Sequence, residues 1–403
     1  MSYRKSNRLH NVCYDIRGPV FEAAQKIEAK GHKVLKLNIG NPAEFNLFAP
    51  DEIHVDVIQN LREADGYAPS HGLFSARKAI MQNLQLRHID CDINRIWLGN
   101  GVSELISLIT SALLNPGDEV LVPAPDYPLW TAAITLTGAV PIHYRCDESD
   151  NWQPDTTDVD SKISERTRAI VVINPNNPTG VCYSADCLRK LVDLAEQHQL
   201  VVLADEIYDK VVYPPHQHIP MASLVRRAPC LSFNGLSKSH RLAGFRSGWV
   251  TATGDLSEAG DLIEGINMLC SMRLCSNVPA QLAVQTALGG VQSIDQLVAE
   301  GGRLYQQRLA ATEAFQALEG VELVTPQAAM YCFVRVCNEL YDLPERDEDL
   351  VLAFLEEAHV LIVQGSAFNL QSNRYFRFVF LPSEDELIHA IHLFGEFLQR
   401  YRK

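Results

Sequence analysis

The chain has 403 residues, 47% hydrophobic and 21% charged, which is enough apolar material for a large buried core. Its formal net charge of −14 argues against nucleic acid or an anionic membrane as the main partner, since both select basic surfaces. No run approaches the roughly 20 apolar residues of a membrane span, and the polar stretch Met1–Arg8 leads into no apolar signal segment.

In chain order, Phe21–Lys30 predicts a helix and Val34–Asn38 a strand, both expected to pack with the C-terminal region. Ile96–Leu98 runs through a glycine turn into the helical pattern Ser103–Leu114. Glu119–Val122 is followed by a proline-rich loop and a short helix near Trp130–Leu136. Ala169–Ile173 predicts a strand, and Ala185–His198 a helix capped by Ser184. Val201–Ala204, Leu231–Phe233 and Gly248–Thr251 are further short strands. Apolar runs this short, alternating with helices, predict an α/β fold with a mostly parallel sheet covered on both faces.

Past residue 290 the texture changes. A long helix is expected from Gly301, then a strand at Tyr331–Val336 and a helix at Glu348–Ala358. Strands at Val360–Val363 and Phe376–Phe380 and a last helix from Glu384 follow. The expected division is an N-terminal segment over residues 1–45, a large domain over 46–290 and a smaller α+β domain over 291–403. Ten cysteines are scattered through the chain. The close pairs, such as Cys182/Cys187, do not have zinc-knuckle spacing, so the expectation is reduced thiols in a cytoplasmic protein.

In an α/β sheet, ligands gather where strands end. Gly99-Asn100-Gly101-Val102-Ser103 combines glycines with the N–H groups of a helix start, which favour an anion such as phosphate. Asn174-Pro175-Asn176-Asn177-Pro178-Thr179-Gly180 holds amide groups rigidly after a strand. Asp205, just past an apolar strand, is costly to bury unless it meets a cation, and a protonated pyridine nitrogen is one such partner. Tyr208, three residues on, could reach an oxygen of the same ring. Lys238 follows a short strand among glycine and apolar residues, where a desolvated amine is a nucleophile for an aldehyde. Arg246, eight residues later, offers a forked cation for phosphate.

Asn177-Pro178-Thr179-Gly180, Asp205, Tyr208, Ser237-Lys238 and Arg246, in that order, resemble the class I aminotransferases, over about Asn38 to Arg377. The runs Leu35–Pro42, Pro123–Trp130 and Phe233–Lys238 are most similar to the family's bacterial branch acting on glutamate and pyruvate. The resemblance implies a fold-type I pyridoxal-phosphate-dependent transferase: a large domain with a mostly parallel sheet plus a smaller α+β domain. It implies that Lys238 holds pyridoxal 5'-phosphate as a Schiff base and moves the substrate proton. Asp205 would pair with the ring nitrogen, Tyr208 and Asn177 would bond the ring oxygen, and Tyr127 would stack on the ring. Gly101, Val102, Ser237 and Arg246 would hold the phosphate. Arg377 would fork onto the substrate carboxylate, with Gly40, Asn177 and Tyr127 in the same pocket. Tyr67 would reach the phosphate of a second subunit, which implies a homodimer. Gly235 departs from relatives that carry a hydroxyl there, with Ser237 the expected substitute.

The activity so implied is interconversion of L-alanine plus 2-oxoglutarate with pyruvate plus L-glutamate. Other substrate ranges, or carbon–sulfur β-lysis on the same scaffold, share the cofactor residues and stay open. A glutamate donor needs a cation for its distal carboxylate that withdraws for alanine. Arg17, ahead of the Gly18-Pro19 hinge, is the candidate, with Tyr14 beside it.

Overall fold

The apolar runs in the middle of the chain become strands of one eight-stranded sheet in the computed structural model, which describes residues 3–9, 12 and 18–403. In chain order the strands are β1 (Leu35–Lys36), β2 (Ile96–Asn100), β3 (Glu119–Ala124), β4 (Val140–Asp147), β5 (Gln153–Pro154), β6 (Thr167–Ile173) and β7 (Val201–Asp205). Then follow β8 (Cys230–Gly235), β9 (Ser247–Thr253), β10 (Val321–Leu323), β11 (Tyr331–Val336), β12 (Val360–Leu361), β13 (Val363–Gln364) and β14 (Tyr375–Val379). The large sheet has the order β2-β9-β8-β7-β6-β3-β4-β5. Strands β8, β7, β6, β3 and β4 run parallel, while β2, β9 and β5 join antiparallel toward the edges.

The central strands are apolar throughout because both faces are covered. In β6, Ile170 and Val172 enter one core cluster with Leu188 and Leu191 of the helix Ala185–Gln197. The alternate residues Ala169, Val171 and Ile173 enter another, with Leu105 and Ile109 of the helix Val102–Leu113. Period-2 alternation thus sends neighbours to opposite layers. Ser184 caps its helix as expected, its Oγ accepting from Cys187 N–H.

The later residues build a four-stranded antiparallel sheet, β10-β11-β14-β13, packed on the helices Arg303–Gln316, Asp347–Ala358 and Glu384–Leu398 through Phe315, Phe354 and Phe394. Val20 and Ala24 of the helix Pro19–Ala29 join this core, and β1 pairs in parallel with β12. Three expectations change. Val34–Asn38 forms a strand only at Leu35–Lys36, and Val360–Val363 splits into β12 and β13 because its two ends pair with different partners. Strand β4 was not anticipated; its run begins Val-Pro and alternates with polar residues. The helices Asp51–Asn60, Phe74–Gln85, Gly260–Met272 and Val278–Gly289 also lie outside the sequence-based expectation. The described cysteines are free thiols, all buried except the partly exposed Cys275. Among the described residues no helix is long and apolar enough to cross a membrane, and no group of residues could hold a metal.

One packing detail sets the geometry of the first loop. Gly248 of β9 pairs with Gly99 of β2 and lies against the turn that follows it. A Cβ at Gly248 would stand 2.6 Å from Val102 N and 2.7 Å from the Gly101 carbonyl carbon. Gly265, within a helix, has room: a Cβ there meets Ala112 at an ordinary 3.6 Å. Gly248→Ala should therefore destabilise by about 1–3 kcal/mol through overpacking, whereas Gly265→Ala should be neutral or stabilise by up to about 1 kcal/mol. Thermal midpoints of the two variants check this; equal midpoints would contradict it.

Candidate active site

The carboxyl ends of β2, β6 and β7, the loop after β8 and strand β14 enclose a cavity of about 590 Å³. Gly40, Val102, Tyr127, Asn177, Asp205, Tyr208, Ser237, Lys238, Arg246 and Arg377 all line it.

Lys238 comes three residues after the end of β8. Its Nζ donates to the Gly40 carbonyl at 2.7 Å and lies 5.9 Å from the centre of the Tyr208 ring. Burial pulls its pKa below the ordinary 10.5; Tyr331 opposes this, while Arg377 and Arg246 add to it. A larger share of uncharged, nucleophilic amine at neutral pH follows.

Asp205 is the last residue of β7 and is 3% exposed. Trp130 Nε1 donates to its Oδ2 at 3.0 Å, and Ile207 N–H to Oδ1 at 3.4 Å. Burial pushes the carboxyl up to about 6 against those two hydrogen bonds. Among the described residues no lysine, arginine or histidine is paired with it. A buried carboxylate so placed suits a cationic group in the cavity.

The other side of the cavity is built around Arg377, which β14 presents from the smaller sheet. Its Nη1 donates to Asn177 Oδ1 at 2.8 Å, and its Nη2 to the Asn38 carbonyl. The guanidinium lies 4.3 Å from the centre of the Tyr331 ring and 4.7 Å from that of Phe368. The Tyr208 and Tyr331 hydroxyls are hydrogen-bonded to each other.

At the end of the cavity beside Arg246, Gly101 has φ +80 and precedes the helix Val102–Leu113. A Cβ on Gly101 would fall 2.2 Å from Arg246 Nη2, so only glycine admits the guanidinium here. Arg246 is fixed by donation from Nη1 to the Ala243 carbonyl at 2.9 Å and from Nη2 to the Asn100 carbonyl at 3.4 Å. The glycine at 235 has a packing reason. A Cβ there would meet the Ser247 carbonyl oxygen at 2.7 Å, so β9 leaves no room for a side chain.

Tyr67 is not brought into this cavity; it is 83% exposed. Its loop touches the end of the helix Gly260–Met272, with Ser271 Oγ 3.4 Å from Ser70 Oγ. Tyr14 and Arg17 lie outside the described residues. Four contributors were not expected from the sequence: Trp130, Tyr331, Asn38 and Phe368. Trp130 carries the one sequence signal, standing three residues after Tyr127 on the helix that follows the same loop. That loop is strapped to the smaller sheet. Asp126 N–H donates to the Phe368 carbonyl at 3.0 Å, and Asn369 Nδ2 donates to Asp126 Oδ1 at 2.7 Å.

A family model for aminotransferases of class I and II matches residues 32–394. The glutamate–pyruvate aminotransferase of Escherichia coli (strain K12) is 52% identical over 99% of this chain and 98% of its own. The alanine aminotransferase of Mycobacterium tuberculosis (strain ATCC 25618 / H37Rv) is 50% identical over 100% of this chain and 94% of its own. The crystal structure of an aminotransferase from Escherichia coli superposes with a TM-score of 0.97 at 52% identity, covering 100% of both chains. Alanine aminotransferase from Pyrococcus furiosus superposes with a TM-score of 0.92 at 35% identity, over 98% of this chain and 100% of that one. With a family match this long and relatives half identical from end to end, the chain belongs to the class I and II aminotransferases.

Proposed function

We propose that this aminotransferase uses pyridoxal phosphate to interconvert L-alanine plus 2-oxoglutarate with pyruvate plus L-glutamate, working as a homodimer. The observation that carries the reading is the convergence of Lys238, Asp205 and Arg377 on one cavity. The substrate pair is supported by the activities for which the Escherichia coli and Mycobacterium tuberculosis relatives are named. The buried free thiols support a reducing, cytoplasmic setting.

The residues fit that cofactor. Asp205 is a buried acceptor suited to a protonated ring nitrogen, and the Gly101 turn leaves space that a methyl group would fill beside Arg246. Bound there, pyridoxal phosphate supplies an aldehyde that takes up the amino group and a ring that draws electron density from the substrate Cα. Arg246, the Ser237 hydroxyl and the backbone of Gly101 and Val102 would hold the phosphate. Tyr127 would cover one ring face, and Tyr208 and Asn177 would meet the ring oxygen. Arg377 orients the substrate by its α-carboxylate, which sets the Cα–H bond toward Lys238. Lys238 Nζ would then take the Cα proton as a base and give it up as an acid to the carbon that carried the aldehyde, and in the opposite half-reaction it would carry a proton back to Cα.

The first test is a panel of amino donors against pyruvate and 2-oxoglutarate. Alanine with 2-oxoglutarate should give pyruvate and glutamate in equal amounts; pyruvate and ammonia from cystathionine would indicate a β-lyase instead. Lys238→Ala should lower kcat by at least roughly 10²–10⁴-fold and abolish the visible absorbance that added cofactor produces. A variant that kept both would overturn the assignment.

Arg17 carries the glutamate half of the proposal, through a charged contact to the distal carboxylate. Arg17→Ala should raise KM for glutamate and 2-oxoglutarate by roughly 10–100-fold, with alanine and pyruvate little affected. Equal losses for both pairs would remove it from the pocket.

The dimer is supported by exposed apolar residues near the Tyr67 loop. Tyr67 is 83%, Met272 74% and Phe74 61% exposed, large apolar side chains of the kind an interface between subunits covers. Light scattering should report about 90 kDa, twice the 45.0 kDa of one chain. Tyr67→Phe should weaken cofactor retention in dialysis without changing that mass. A monomer with full activity would exclude the shared site.

A further inference from the structure

We propose that Tyr331 is a positioning residue with two separable tasks: its hydroxyl orients the Tyr208 hydroxyl toward the cavity, and its ring holds Arg377. The inference rests on the cofactor reading above and concerns a residue that reading does not use.

Tyr331 is the first residue of β11, in register with Val379 of β14, two positions after Arg377. It is 2% exposed, as is Tyr208. A phenol has a single proton to donate but can also accept. If Tyr208 gave its proton to Tyr331, it would have none for an acceptor in the cavity. Two features favour the opposite direction. The Arg377 guanidinium stands 4.3 Å from the centre of the Tyr331 ring, nearer than Lys238 Nζ stands to the Tyr208 ring at 5.9 Å, and a cation close over a phenol's face favours that phenol as the donor of the pair. The Tyr331 oxygen also faces the Gly40 α-carbon, where a Cβ would come within 2.8 Å, so on that side it meets carbon rather than a charged acceptor. The hydroxyls therefore form a chain from Tyr331 to Tyr208 to the cavity, each bond strengthening the next. Lys238 Nζ lies 5.9 Å from the centre of the Tyr208 ring and both residues line the one cavity, so a change at the Tyr208 hydroxyl is readable at Lys238.

The test uses the enzyme loaded with pyridoxal phosphate and titrates its visible absorbance with pH. The midpoint reads the proton on Lys238 Nζ. A hydrogen bond into the ring oxygen removes negative charge that would otherwise hold that proton, so a weaker bond moves the midpoint up. Tyr331→Phe should raise it by about half a unit, less than Tyr208→Phe does. The double variant should match Tyr208→Phe alone, because Tyr331 acts through Tyr208. The Phe variant keeps the ring, so its KM for alanine should stay within about twofold of wild type. Tyr331→Leu removes the ring and should raise that KM by about tenfold. An unmoved midpoint in Tyr331→Phe, or shifts that add in the double variant, would overturn the hydroxyl chain. An unchanged KM in a Tyr331→Leu protein with native circular dichroism would overturn the support of Arg377. Absence of any visible band in the wild-type enzyme would instead defeat the cofactor reading, so the two failures are distinct.

Discussion

A guanidinium at 2% exposure is tolerated only where its N–H groups and its charge are met, and both sheets of this chain contribute to meeting them at Arg377. Asn177 reaches it from the loop after β6, and the Asn38 carbonyl from the segment after β1. Tyr331 flanks it from the smaller sheet, and Phe368 from the turn between β13 and β14. Because the partners come from separate parts of the chain, the guanidinium is held in place by the fold itself, and a carboxylate brought to it would require little reorganisation. The same strap reaches the other wall of the cavity. Phe368 also takes the Asp126 N–H, and Asp126 adjoins Tyr127. Arg377 and the aromatic wall at Tyr127 are thus mechanically linked through Phe368.

Much of this was readable from residue order. A strand followed by a glycine or proline turn recurs at Gly101, Asn177 and Lys238, and Asp205 closes a strand directly, so each lies at a sheet end where local chemistry and position coincide. Tyr331 was not readable. It lies in a strand whose apolar residues predict core packing, and its hydroxyl gains a role only when β11 meets the loop after β7. Trp130 likewise reads as one more apolar residue of a short helix until its indole N–H meets Asp205. Strand β4 is hidden by Pro141 and by polar residues on its partly exposed positions, and the helix Val278–Gly289, buried at most positions, shows no distinct period. Register and loop contact are tertiary facts, and no local pattern encodes them.

The charge of the whole chain and the charge of the cavity have opposite signs. The formal net charge is −14, yet Lys238, Arg246 and Arg377 all line one cavity that has Asp205 as its anion. Burial in a low-dielectric wall concentrates the field of those cations, which favours phosphate and carboxylate ligands even in an acidic protein. The same crowding acts on Lys238, since Arg377 and Arg246 disfavour its charged form. Burial, the largest cause, and the two guanidiniums thus act together to lower the charge on Lys238, while Arg246 and Arg377 keep the cavity wall cationic.

Asp205 must remain an anion for this balance to hold, although Glu206 is its immediate neighbour. The two side chains diverge at the end of β7: Asp205 lines the cavity, whereas Glu206 is not among the residues that line it and instead borders a small buried space with Arg87 and Asn234. Burial pushes the Glu206 carboxyl up to about 8, so near neutral pH it is largely uncharged, with Oε1 accepting from Met221 N–H at 2.7 Å. His218, whose Nε2 lies 3.7 Å from that oxygen, is pushed down to about 4 by burial and is neutral as well. The ion pair nearby belongs to Asp209 and Arg87, at 2.7 Å. A charged Glu206 would raise the Asp205 carboxyl further through like-charge repulsion and weaken it as the partner of a cation. With Glu206 shifted toward its neutral form, Asp205 is the carboxylate that the end of β7 presents to the cavity.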